Sequence, residues 1–219
     1  ILHRYGLLVN GFSVRTRYSS KAKIEKLPGV ASVVMANQYD RAVTETSALG
    51  AAVQTAQQSK FDGRGTVVAV VDSGIDYTHK DMVLSPGVAG KLSKEDVSAI
   101  QSGNPQLKGR YFTEKVPYGY NYADRNSSVI DTAVEDPAYN HGMHVAGIIG
   151  ANCQSQAEIN AYNGVRGAAP ECQLLAMKIF SNTANASASE ADIIAAIEDS
   201  VALGADVINL SIGLSAGFH

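Results

Sequence analysis

Three short apolar segments, built mostly from β-branched or aliphatic residues, constrain the fold of this chain more than any other feature. They are "TVVAVVD" at 66–72, "QLLAMKIF" at 173–180 and "ADVINLSIG" at 205–213. A continuous apolar run of this length indicates a strand that is buried on both faces of a parallel sheet. Parallel strands need crossover connections, so helices are expected between them.

Helical patterns occupy those connections. Helices are expected over 93–103, with a serine N-cap, and over 141–151. The clearest helix is 187–205, where Ser187 and Glu190 have the spacing of a capping box. Its apolar face and its end are expected to consist of Ile193, Ile194, Ile197, Val201 and Gly204. This alternation predicts an α/β fold with a doubly wound parallel sheet.

The first 42 residues are interpreted as a small α+β unit, with strands over 5–17 and 30–41 around a helix over 19–27. About forty residues cannot bury a core alone, so this unit is expected to pack on the sheet. Residues 43–60 are expected to form a linker and then an amphipathic helix. The aromatic and turn-rich segment 115–140 is expected to be a long loop near a site.

Composition excludes several classes of function. The net charge is −3, and no basic patch suggests nucleic-acid binding. No apolar run approaches the roughly 20 residues of a membrane helix. The chain starts at Ile1 without an initiator Met and is expected to be a fragment. Its two cysteines, Cys153 and Cys172, are either buried thiols or one disulfide.

Asp72 and His141 are the candidate catalytic residues. Asp72 ends a predicted strand, where the carboxyl edge of a parallel sheet borders a ligand crevice, although it also fits an ordinary turn or helix-cap aspartate. His141 begins an apolar helix whose N-terminus favours a neutral ring, although a capping or packed histidine also fits. Gly142 and Gly147 are expected to let this helix pack tightly. A zinc site is not indicated, because His141 and His144 lack the i, i+4 spacing and intervening Glu of a metalloprotease.

Together the two residues indicate more than either alone. A carboxylate at a strand end could meet a neutral imidazole at a helix start. The carboxylate would fix the tautomer of the ring and stabilise the ring when it gains a proton. This is the Asp–His half of a nucleophilic triad.

Three motifs resemble those of the subtilisin-like serine proteases. "VVAVVDSGIDYTHKDM" resembles the aspartate motif, "HGMHVAGIIG" the histidine motif, and "DVINLSIG" the strand that lines the substrate groove. They occur in the family's order, with the serine still to come. The long segment between aspartate and histidine resembles that of lactocepins, the cell-envelope proteinases of lactic acid bacteria.

The resemblance implies a role for each motif. His141 is the expected general base and proton carrier, Asp72 orients it, and packing is the expected role of His144. The groove edge that pairs with substrate backbone is expected to consist of Ser211, Ile212 and Gly213. Asp81 matches a calcium carboxylate of the family, and loop 152–165 could add further oxygens, although an exposed Asp81 without metal is the simpler alternative.

The resemblance also implies a domain organisation. Residues 1–42 are expected to be the C-terminal part of an inhibitory propeptide whose tail lies in the groove, and 43–219 the N-terminal part of a peptidase domain. A secreted or cell-envelope location and protein or peptide substrates are expected. The family's Gly-Thr-Ser-Met-Ala nucleophile motif is absent from this sequence. Residues 1–219 alone are therefore expected to be inactive, with the serine supplied from outside them.

Two other functions remain as alternatives. A catalytically inactive binding module of the same fold is possible, but the presence of both Asp72 and His141 argues against it. A nucleotide-binding α/β protein is disfavoured, because no phosphate-binding glycine pattern follows the first strand.

Overall fold

The structure, a computed structural model, describes residues 1–41, 61–136, 139–183 and 186–213. The helices are α1 (Lys21–Ile24), α2 (Lys94–Gly103), α3 (His141–Gly150), α4 (Gln156–Asn160) and α5 (Glu190–Ala202), and a short 3₁₀ turn covers Tyr18–Ser20. The strands are β1 (Arg4–Tyr5), β2 (Gly11–Phe12), β3 (Gln38–Arg41), β4 (Val67–Asp72), β5 (Tyr118–Asn121), β6 (Gln173–Lys178), β7 (Ala188–Ser189), β8 (Val207–Leu210) and β9 (Ile212–Gly213). The linker and helix predicted over 43–60 lie outside the described residues.

A four-stranded parallel sheet in the order β5-β6-β4-β8 forms the centre of the molecule. Every residue of β4 and β6 is buried, as their largely apolar sequences predict. The predicted α/β fold is confirmed. No helix among the described residues is long and apolar enough to cross a membrane.

Alternate residues of β4 pack into two different cores. Val67, Ala69 and Val71 face one core, which α2 and α5 also enter. Val68 and Val70 face the other core, with Val145 and Ala146 of α3. Because side chains alternate along a strand, the next residue on the α3 side is Asp72.

Two sequence predictions about strands were wrong. The segment predicted to be a long loop contains β5, which pairs in parallel with β6 at one edge of the sheet. The strand predicted to be buried over 205–213 is two short strands, and Val207 and Leu210 are 52% and 42% exposed. Among the described residues β8 pairs only with β4, so its outer side lacks the cover that the prediction assumed.

Helix α2 follows its prediction: Ser93 is the N-cap and forms a capping box with Asp96. Helix α5 begins later than predicted, because Ser189 and not Ser187 is its N-cap. Gly204 ends this helix with a φ of 74°, as predicted. The predicted apolar face is only partly right, since Val201 is 43% exposed.

The N-terminal unit is less regular than predicted. β1 and β2 form a short antiparallel hairpin, and α1 has four residues. The strand predicted over 30–41 is only the four residues of β3. β3 lies between β7 and β9 in a separate three-stranded antiparallel sheet.

Candidate active site

Asp72 lies at the carboxyl end of β4 and is completely buried. One of its oxygens, Oδ1, accepts a 2.6 Å hydrogen bond from the amide of Ser73. A buried carboxylate is costly unless its oxygens are hydrogen-bonded. Asp72 thus places a carboxylate on the α3 face of the sheet. The amide of Ser73 supplies one of the hydrogen bonds that this carboxylate needs.

His141 is the first residue of α3, and at this position its ring faces the carboxylate of Asp72. Its Nδ1 lies 2.8 Å from Oδ1 and 3.0 Å from Oδ2 of Asp72, and 11% of its side chain is exposed. A carboxylate facing Nδ1 favours the tautomer with hydrogen on that nitrogen. Nε2, on the opposite side of the ring, is then the basic nitrogen.

The residue before His141 sets the entry of the chain into α3. Asn140 has a left-handed backbone with φ of 62°, a conformation that asparagine tolerates better than most residues. Its amide donates a 3.2 Å hydrogen bond to Oδ2 of Asp131, which is also buried. This hydrogen bond links Asp131 in the preceding loop to the start of α3.

Ser73 and two glycines bring α3 against the end of β4. The amide of Gly142 donates a 3.0 Å hydrogen bond to Oγ of Ser73. A Cβ on Gly142 would lie 2.6 Å from the carbonyl oxygen of Gly74. Gly74 has a φ of 120°, and a Cβ there would lie 2.1 Å from the carbonyl oxygen of Val129. The expected tight packing holds for Gly142 but not for Gly147, where a Cβ would meet nothing within 4 Å.

Lys178 is a component of this region that the sequence prediction missed. It is fully buried at the end of β6, beside Asp72 in the sheet register, and its Nζ donates a hydrogen bond to the carbonyl oxygen of Ser73. The available signal was the single lysine within the otherwise apolar segment "LLAMKIF".

The predicted groove edge carries an extended segment of the same chain. Gly213 and Ile212 pair antiparallel with Asp40 and Arg41 of β3, a pairing of the kind that the family resemblance implies for the N-terminal tail. Ser211 lies between β8 and β9, where its Oγ donates to Oδ1 of Asn209 at 3.1 Å.

The other edge of β3 is also occupied, since Gln38 and Tyr39 pair with Ser189 and Ala188 of β7. Tyr39 packs against the core that contains α5. A strand held by its backbone on both edges makes hydrogen bonds that do not depend on its side chains. This arrangement can hold many different extended sequences.

Residues 1–9 cover the polar face of α5. The backbone amides of four consecutive residues donate to the carboxylate of Glu198 at 2.7–3.1 Å: Gly6, Leu7, Leu8 and Val9. Nε2 of His3 lies 2.6 Å from Oδ1 of Asp192, and the hydroxyl of Tyr5 donates to the carbonyl of Ala191 at 2.9 Å. The N-terminal unit is therefore attached to the sheet domain by specific polar contacts.

Asp81 is buried, with 3% of its surface exposed, so the alternative of an exposed aspartate is wrong. Its Oδ2 accepts a 2.8 Å hydrogen bond from the amide of Val165, and its carbonyl accepts one from the amide of Asn152 at 2.7 Å. Oδ1 of Asn152 is buried without a hydrogen-bond partner among the described residues. This buried amide oxygen, unpartnered in the part of the chain that the structure describes, belongs to the residue whose backbone bonds Asp81, and it is the type of oxygen ligand that calcium prefers. No group of three or more His, Cys, Asp or Glu in the described ranges forms a metal cluster.

Three further predicted residues have settled positions. His144 is exposed, so the prediction that packing explains it was wrong. Cys153 and Cys172 are both buried free thiols, which decides between the two alternatives for them. Burial raises the pKa of the Cys172 thiol, as expected for an unreactive structural cysteine.

Comparison with known proteins adds to this geometry. The profile described as the subtilase family, peptidase S8, matches residues 63–217. A PII-type proteinase of Lactococcus lactis subsp. cremoris is 44% identical over 214 residues, which are 97% of this chain and 11% of that protein. A C5a peptidase of Streptococcus pyogenes is 36% identical over 167 residues, which are 75% of this chain and 13% of that protein. The chain thus spans about a tenth of the length of these curated relatives.

Proposed function

The chain belongs to the subtilase family, and from this premise we propose that it supplies two of the three triad groups of a serine endopeptidase. The observation that carries the proposal is the contact between Nδ1 of His141 and the buried carboxylate of Asp72, at 2.8 and 3.0 Å. A structural histidine at a helix start does not require a buried carboxylate partner. In a triad the carboxylate has a function, because it fixes the tautomer of the general base and stabilises the protonated ring.

The proposed mechanism follows from the positions of these groups. Nε2 of His141 removes the proton of a serine hydroxyl while that oxygen attacks the substrate carbonyl, and it delivers the proton to the leaving amine as the peptide C–N bond breaks. The same nitrogen then takes a proton from a water molecule that attacks the acyl-enzyme, and returns it to the serine oxygen as the acid product leaves. Asp72 remains ionised and holds the ring throughout. The serine and the oxyanion donors belong to parts of the protein outside residues 1–219.

Substrate binding is assigned to the edge of β9. A substrate would take the place of β3, pairing with Ile212 and Gly213 as an added strand. Such recognition favours extended or unfolded proteins, since a folded segment cannot present both backbone edges. The relatives named as proteinases and peptidases support peptide bonds as the target.

The N-terminal unit is proposed to be the end of a propeptide that occupies the groove until it is cleaved. Its β3 pairs with β9 at the proposed groove edge and with β7 on its other side, and residues 1–9 bind α5. The domain division at residue 42, the secreted or cell-envelope location and the propeptide as a partner are parts of this proposal.

Calcium is proposed as a structural ion. Asp81 and Asn152 would contribute to its binding, and the ion would tie the segment after β4 to loop 152–165. It would stabilise the fold and take no part in the peptidase chemistry.

A serine-directed irreversible inhibitor tests the proposed function in the whole protein. We expect hydrolysis of a fluorogenic peptide to stop on treatment, with the adduct on a serine outside residues 1–219. Residues 1–219 alone should hydrolyse no peptide. Hydrolysis that is insensitive to the inhibitor would contradict the proposal, and a whole protein without hydrolysis would favour the inactive binding module.

A further inference from the structure

Lys178 is a buried lysine next to Asp72 with no part in the mechanism above. The parallel register of β4 and β6 sets Lys178 directly beside Asp72. Leu174 and Ala176 of the same strand face the α3 core, so alternation places Lys178 on that face as well. Both residues are 0% exposed. A lysine is buried this completely only where it is paired or hydrogen-bonded.

Its contacts converge on the residue after Asp72. Nζ of Lys178 donates to the carbonyl oxygen of Ser73, and a Cβ on Gly74 would lie 3.2 Å from Cδ of Lys178. Ser73 in turn donates its amide to Asp72 and accepts the amide of Gly142 on its hydroxyl. Ser73 therefore joins Lys178, Asp72 and the first turn of α3 in one set of hydrogen bonds.

We propose that Lys178 is a positioning residue for the Asp72–His141 pair, and that its charge keeps the His141 ring neutral to lower pH. The inference rests on the proposed peptidase function. Lys178 acts on the geometry by holding Ser73, which fixes Asp72 relative to α3. It acts on the electrostatics as a positive charge that opposes a second positive charge on the ring.

Other charged groups around His141 form a constant background. Asp72 faces the ring from β4, and Asp131 and Asp136 lie buried in the loop before α3. The helix N-terminus disfavours a protonated ring, as Lys178 does. Without the positive charge of Lys178, the carboxylates stabilise the protonated ring of His141 more strongly, so the ring gains its proton at a higher pH.

The test replaces Lys178 by Met in the whole protein, which keeps most of the side-chain volume and removes the charge. We expect the acid limb of the kcat/KM profile to move up by about one pH unit, the shift that a unit charge about 12 Å away produces at an effective dielectric constant of about 20. Lys178→Arg keeps the charge and should restore the parent midpoint. Lys178→Gln provides a second uncharged variant if the Met variant does not fold.

A second readout does not depend on turnover. Diethyl pyrocarbonate modifies neutral imidazole, and mass spectrometry resolves the modified residue. The pH midpoint for modification of His141 should rise in Lys178→Met by the same amount. His144, exposed one turn along the same helix, is the internal control and should change little.

Lys115 provides the matched control variant. It is also buried, at 1% exposure, and its Nζ donates to the carbonyls of Pro170 and Cys172 at 2.7 and 2.6 Å. Lys115→Met should lower stability and leave the His141 midpoint unchanged.

Two results would overturn the inference: an unchanged His141 midpoint in the uncharged variants, or an equal shift in Lys115→Met. If the parent protein hydrolyses no peptide, the proposed function fails, while the modification midpoint still decides the role of Lys178.

Discussion

Gly142 approaches Gly74 so closely that a Cβ on Gly142 would lie 2.6 Å from the carbonyl oxygen of Gly74. The obstacle is backbone, which cannot rotate away as a side chain can. This approach lets the first turn of α3 reach the end of β4, and it determines how near His141 stands to Asp72. The geometry of the Asp72–His141 pair therefore depends on the absence of a side chain at Gly142.

Gly142→Ala is expected to displace the first turn of α3 and lower kcat/KM of the whole protein by about 10²-fold, the cost of roughly 1 Å of misplacement. Gly147→Ala is the control, because a Cβ at Gly147 meets nothing within 4 Å. Alanine there should stabilise the helix by up to about 1 kcal/mol and preserve activity. Peptidase rates and thermal unfolding of the two variants check the prediction, and equal activity in both would contradict it.

Glu198→Gln is expected to loosen the N-terminal unit. Glu198 accepts four amides from residues 6–9, and charged acceptors make stronger hydrogen bonds than neutral ones. Hydrogen exchange at the amides of residues 6–9 should accelerate in the uncleaved protein. Glu95→Gln, at an exposed site in the first turn of α2, is the control and should leave this exchange unchanged.

The same contact should weaken in acid. Burial alone would raise the pKa of Glu198, but the amide hydrogen bonds outweigh burial and lower it below its ordinary 4.5. A lowered pKa in the folded state contributes stability above about pH 4.5, and that stability is lost as pH falls through the lower folded value. The hydrogen-exchange protection of residues 6–9 in the parent should therefore decrease as the pH drops below about 4.5. This decrease should be larger than the decrease in Glu198→Gln. Identical pH dependence in both proteins would show that Glu198 is not the cause.

The interior strands and the candidate pair could be predicted from sequence because their signals are local. β4 and β6 are short apolar runs buried on both faces, and Asp72 and His141 occur at element ends within motifs of the family. The position of Asp72 on the α3 face follows from the alternation of side chains along β4.

The missed features depend on contacts between distant parts of the chain. β5 reads "YGYN" and is a strand only because β6 pairs with it. Asp192 and Glu198 are buried on the polar face of α5 because residues 1–9 cover them, which no helical periodicity can reveal. Lys178 gave a visible signal, but its hydrogen bond to Ser73 required the sheet register.

The mature N-terminus is expected between Ala42 and Thr46. β3 ends at Arg41, paired with β9 at the proposed groove edge, and the composition changes after it to an Ala, Gln and Thr-rich segment typical of accessible chain. N-terminal sequencing of the active whole enzyme measures this directly. An active enzyme that retains residues 1–41 covalently and still cleaves proteins would show that they are a fixed subdomain.

Calcium removal is expected to lower the thermal stability of the parent more than that of Asp81→Asn. The variant keeps an oxygen at this position but loses the charge that attracts the ion. Unfolding temperatures with calcium and with a chelator give the comparison. Asp76→Asn, an aspartate on the same segment that is not fully buried, is the control. Equal chelator sensitivity of the parent and Asp81→Asn would contradict a calcium site at Asp81.

The most direct measurement of the central claim is kcat for peptide hydrolysis by whole proteins carrying Asp72→Asn or His141→Ala. The account predicts losses of roughly 10⁴- to 10⁶-fold, the range of triad residues in subtilisin itself, with unfolding temperatures near that of the parent. His144→Ala, at an exposed site on the same helix, should retain parental kcat. Parental activity in His141→Ala would contradict the assignment of Asp72 and His141 as a catalytic pair.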